Sequence, residues 1–147
     1  MSDPEVSGEV SRWLRYAQED LEVAEGVIQH EQVFRVACFH AQQCAEKAIK
    51  ASLIFLGIGF RKVHDLEVLS QELPDGWTLS KDPERLSWLT VWAVEPRYPG
   101  DLPEASEDDA STAVDQAREI LEMTLEDLES HGYGQEEERN ETDGEDA

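Results

Sequence analysis

RVACFHAQQCAEKAIKASLIFL, residues 35–56, is the stretch whose pattern decides the fold. Placed at about 100° per residue, it divides into two faces. Ala37, Cys38, Ala41, Cys44, Ala45, Ala48, Ser52, Phe55 and Leu56 fill one half. His40, Gln42, Gln43, Glu46, Lys47 and Lys50 fill most of the other. Small side chains dominate the apolar half, so a neighbouring helix can approach its backbone closely. The pattern predicts the central helix of a compact bundle, with its polar face turned to solvent, a cleft or a partner.

Working outward, a first helix is expected from near Ser7 or Ser11 to about Gln29. Trp13, Tyr16, Ala17, Leu21, Ala24, Val27 and Ile28 recur there at three- and four-residue steps. A short link then makes an antiparallel hairpin with the central helix, which stops at Leu56-Gly57. A short helix should follow over 65–72. Asp82 and Pro83 can open a further helix running to about Val94, where Glu95-Pro96 ends it. The last helix should open at Ser106, with Glu107, Asp108 and Asp109 in its favourable first turn, and run to about Leu128. The fold class is therefore all-α: an up-down bundle of four main helices with one short extra helix. One domain is expected over 7–131, followed by a disordered acidic tail over 132–147.

The net charge of −22 is large for 147 residues. The last sixteen residues hold seven acids and one arginine, which leaves −16 on the rest of the chain. Lysines number four and arginines eight. An acid-rich, lysine-poor surface fits a protein adapted to high salt. In ordinary salt such a field repels nucleic acid; in molar salt the Debye length falls to about 3 Å and the repulsion is largely screened. No run approaches the roughly 20 apolar residues of a membrane span. The first residues lack a signal-peptide pattern, so a soluble, cytoplasmic protein is expected.

Cys38 and Cys44, the only cysteines, lie about 240° apart around the helix axis, too divergent for a disulfide, and are expected in the core. The four histidines and two cysteines show no metal spacing. There is no glycine-rich phosphate loop and no HExxH, so neither metal nor cofactor is expected.

FHAQQCAEKAIKASL (39–53), HDLEVL (64–69) and EPRYPGD (95–101) together resemble the HEPN domain family, in the branch associated with minimal nucleotidyltransferases. The resemblance covers roughly residues 10 to 128. It implies a homodimer that works with a separately encoded minimal nucleotidyltransferase in a toxin–antitoxin-like system. Many HEPN domains are metal-independent ribonucleases whose signature is an arginine and a histidine separated by a short run, placed late in the domain. Here the last helix holds Arg118, with no histidine before His131. Arg35-VACF-His40 has the spacing, but at the start of the second helix, where a regular helix sets the two side chains about 140° apart.

His40, Gln43, Lys47 and Lys50 share one side of their helix, within about 80° of arc. They form either a solvated face with Glu46 nearby or an anion-facing wall for nucleotide or RNA phosphate. His64-Asp65 either caps the third helix or contributes to a site. Arg97-Tyr98-Pro99 either braces its loop or does the same. Lys47, Lys50, His64, Arg97 and Tyr98 are thus the candidates for ligand or partner contact, and Arg35 and His40 the candidates for catalysis. Three functions stay open: a non-catalytic or weakly catalytic nucleotidyltransferase partner, a metal-independent ribonuclease toxin, and a nucleotide-binding sensor without turnover.

Overall fold

In the computed structural model, residues 4–30, 33–60, 62–81, 83–93 and 104–134 are described. Among them the chain forms five α-helices, two short 3-10 turns and no strand. The helices are α1 (Pro4–His30), α2 (Phe34–Phe55), α3 (Leu66–Gln71), α4 (Pro83–Thr90) and α5 (Glu107–Ser130). The 3-10 turns are Thr78–Lys81 and Val91–Ala93. This is the expected all-α bundle. Three helices are long and two are short, and no helix among the described residues is long and apolar enough to cross a membrane.

The central position of α2 follows from its small residues. Ala37, Ala41, Cys44, Ala45 and Ala48 are fully buried, as are Ala17 and Ala24 on α1 and Ala110, Ala113 and Ala117 on α5. Alanine facing alanine lets the backbones close in. Cys44 Sγ reaches the Ala117 carbonyl of α5 at 4.0 Å. The larger side chains Ile49, Leu53, Leu66, Leu69, Leu86, Leu89, Ile120 and Leu128 are fully buried in the core, where α3 and α4 pack on α2 and α4 also meets α5. Cys38 and Cys44 are buried and unpaired, and loss of hydration raises both thiols to about 12.

Helix ends follow local chemistry. The first helix starts at Pro4, earlier than expected, because proline in the first turn lacks only an N–H that would have no helical partner there. Asp65 caps α3, accepting from the Glu67 and Val68 amides, so this part of the HDL segment is helix-start chemistry. Ser106 and Asp109 form a reciprocal capping box on α5. Beyond α2, Gly57 takes φ +70°, with its N–H on the Ile54 carbonyl and the Ile58 N–H on Leu53. Gly132 repeats that arrangement after α5, where Tyr133 bonds the Leu128 carbonyl through its N–H and Ser11 on α1 through its hydroxyl.

The fourth helix stops short of the expected Val94. The Thr90 hydroxyl donates to the Leu86 carbonyl and accepts from the Leu66 amide at the head of α3, and the chain tightens into the 3-10 turn Val91–Ala93. Asp127 of α5 serves the other 3-10 turn, accepting from the Thr78 amide at 2.9 Å and its hydroxyl at 2.8 Å.

Candidate functional site

The polar face of α2 is organised by two carboxylates that lie inside the fold. The first is Asp20 of α1. Its Oδ1 meets His40 Nδ1 at 2.9 Å and its Oδ2 accepts from Lys47 Nζ at 2.5 Å. Burial works to raise the Asp20 carboxyl, but hydrogen bonds from His40 and Lys47, with their charges, outweigh it and hold its pKa below the ordinary value. The His40 and Lys47 side chains keep 28% and 27% of their surface exposed, so this cluster opens to solvent on its α2 side. Phe39 lies half-buried with its ring edge-on to His40.

The second carboxylate is Glu46. Its Oε2 accepts from Lys50 Nζ at 3.1 Å, and its Oε1 meets His64 Nδ1 at 2.8 Å and Gln42 Nε2 at 3.3 Å. Gln42 also donates to the His64 carbonyl, tying the loop before α3 onto α2. The Lys50 ammonium lies 5.4 Å from the Phe60 ring centre and 5.9 Å from that of Trp13, and these two rings meet edge to face. Gln42, Glu46 and Lys50 are buried. The face expected to turn to solvent, a cleft or a partner is therefore partly interior: Trp13, Phe60 and His64 cover one row of it, and mutual pairing makes that burial tolerable.

The sequence candidates fall into separate places. Lys50 and His64 meet on Glu46, whereas Lys47 belongs with His40 on Asp20. His64 remains 62% exposed, whereas the Lys50 side chain keeps only 8% of its surface exposed. Arg35 is exposed on the first turn of α2, and the cluster holding His40 contains no part of it. Arg118 pairs with Glu25 of α1 and Asp115, while His131 stacks on Trp77 beyond the far end of α5. The step of thirteen residues from one to the other corresponds to about 20 Å of helix, so they do not form a late arginine–histidine pair. Arg97 and Tyr98 lie outside the described residues.

Asp20 is the residue that sequence reasoning missed. It stands seven residues after Trp13 and three after Ala17, inside the apolar stripe of α1. A lone acid on an inward face needs an internal cation, and that was the available signal. A shallow cavity of about 160 Å³ between α1 and α5 is lined by Glu25, Ile28, Val114, Asp115 and Arg118 among others, and its arginine is already neutralised by two carboxylates. Among the described residues no group of three or more His, Cys, Asp or Glu could hold a metal ion.

The HEPN domain profile matches residues 10–128. A Methanocaldococcus jannaschii protein named "Putative toxin MJ1304" is 32% identical over 138 residues, covering 83% of this chain and 89% of its own length. The crystal structure of TT1696 from Thermus thermophilus superposes with a TM-score of 0.71 at 28% identity, covering 80% of this chain and 96% of that one. The crystal structure of ST0689, an archaeal HEPN homologue, gives 0.64 at 29% identity, covering 81% and 97%. This chain belongs to the HEPN domain family.

Proposed function

We propose that this chain is the HEPN component of a toxin–antitoxin-like pair: a homodimeric, non-catalytic or weakly catalytic partner of a separately encoded minimal nucleotidyltransferase. The observation that carries the toxin-related part of this reading is the similarity to the relative named "Putative toxin MJ1304", over 83% of this chain and 89% of the relative. The site geometry supports it in a second way. Lys47 and Lys50 are each neutralised by a carboxylate of the same fold, so α2 offers less free cationic charge than its sequence suggests. An acidic chain with neutralised lysines is suited to a protein partner or a small nucleotide more than to unaided capture of long RNA. Contact would fall to Lys47 and the exposed His64, with Arg97 and Tyr98 as further candidates and Lys50 supporting from within. Affinity isolation from the native host tests the pairing. Recovery of a nucleotidyltransferase is expected, and its repeated absence would count against the reading.

A second reading is favoured by one observation. His40 is bonded through Nδ1 to a buried carboxylate while part of its ring stays exposed, an arrangement suited to moving a proton at a ribose hydroxyl. On this reading the protein is a metal-independent ribonuclease that uses Arg35 and His40, or His64 and Arg97, across a dimer. RNA cleavage that survives EDTA and disappears in His40→Ala or His64→Ala would establish it. Saturable nucleotide binding without cleavage would instead indicate a sensor.

A further inference from the structure

The two oxygens of Asp20 are divided between two partners, Oδ1 to the His40 ring and Oδ2 to the Lys47 ammonium. Lys47 comes from the same helix as His40, seven residues on, so the carboxylate is clamped between two points of α2 and cannot rotate without losing one of them. An ionised carboxylate accepts hydrogen bonds and donates none. Whenever the His40 ring is neutral, the nitrogen that touches Asp20 must therefore carry the proton. The other nitrogen, Nε2, is then left with its lone pair on a ring that retains 28% exposure. Free imidazole side chains favour the opposite arrangement, with the proton on Nε2, so the fold would be selecting the minor form.

We propose that Asp20 is a positioning residue that holds His40 in its Nδ1-protonated tautomer and so presents Nε2 as the proton acceptor for a ribose 2′-hydroxyl. The inference rests on the ribonuclease reading for its substrate, although the tautomer stands on geometry alone. In the corresponding step the 2′-hydroxyl proton moves to Nε2 as the O2′–P bond forms. The P–O5′ bond breaks, and the departing 5′-oxygen takes a proton from water. Lys47 acts through Asp20, fixing the carboxylate, and Asp20 acts through His40.

The test is a long-range 1H–15N correlation spectrum of the full chain labelled at histidine, at about pH 9, above the ordinary histidine range. His40→Gln identifies the resonance. The wild-type ring is expected to show a protonated Nδ1 and a bare Nε2. Asp20→Ala is expected to shift the same ring to the Nε2-protonated form, and the near-isosteric Asp20→Asn, which keeps one acceptor, to give a mixture. A wild-type ring protonated at Nε2, or one unchanged in Asp20→Ala, overturns the proposal. Should Asp20→Ala fail to fold, the wild-type and Asp20→Asn spectra decide. RNA cleavage is read in parallel. A fall of about 100-fold or more in Asp20→Ala is expected if His40 is the base. Intact RNA with the wild-type protein would remove the ribonuclease reading and leave the tautomer to be judged from the spectrum.

Discussion

Lys50 Nζ lies 3.1 Å from Glu46 Oε2, one helical turn earlier on α2, and the two side chains are only 8% and 5% exposed. An ion pair this deep is held by geometry more than by net attraction, because both ions have given up hydration. Its further contacts, Trp13 and Phe60 on the lysine and Gln42 and His64 on the glutamate, are what complete it.

Removing one partner should therefore hurt more than removing both charges. Lys50→Ala is expected to destabilise by about 3–5 kcal/mol, since it leaves a buried carboxylate without its ammonium. Lys50→Met in a Glu46→Gln background should cost less than Lys50→Met alone. Denaturant unfolding followed by circular dichroism distinguishes these outcomes.

Acid should loosen the α1–α2 contact through Asp20. Its carboxyl is held below its ordinary value of 3.8, with the His40 and Lys47 contacts overcoming the opposing effect of burial. A lowered acid stabilises the fold above the unfolded pKa, and that contribution is lost as pH falls through the folded one. The stability gap between wild type and Asp20→Asn is thus expected to be full near neutrality and to close below about pH 4. Unfolding midpoints measured from pH 7 down to pH 3 supply the check.

The turn after α2 makes a backbone prediction. Gly57 sits at φ +70°, and a Cβ there would meet nothing within 4 Å. Gly57→Ala should consequently cost only the left-handed strain, about 1 kcal/mol, with no packing penalty. A loss of several kcal/mol in equilibrium unfolding would show that some other contact depends on this glycine.

Thiol chemistry should report the integrity of the core. Cys38 and Cys44 are buried and both raised to about 12 by loss of hydration. A disulfide reagent at pH 8 is expected to label neither in the native protein within minutes and both after denaturation. Rapid native labelling would mean that the small-residue face of α2 opens readily.

Much of the fold was legible because it is written locally. The alanine and cysteine face of residues 37–48 places α2 at the centre, and Gly57, Asp65 and Ser106 punctuate helices with side chains or conformations that act within a few residues. Thr90 was harder, since its hydroxyl ends α4 partly through a bond to Leu66, more than twenty residues away. The site was less legible for the same reason. A helical wheel groups Gln42, Glu46 and Lys50 with solvent-facing residues, and only Trp13, Phe60 and His64 arriving from elsewhere turn that row inward. Likewise Asp20 reads as a break in an apolar stripe until His40 and Lys47 are seen to meet it.

The proposed pairing with a nucleotidyltransferase is tested most directly by mixing the two purified proteins at the salt concentration of the host. Size-exclusion chromatography with light scattering then reads the assembly, and mass spectrometry its contents. The predicted result is one species heavier than the HEPN protein alone that contains both chains in a fixed ratio. Two independently eluting proteins, each folded and at its own mass, would contradict it.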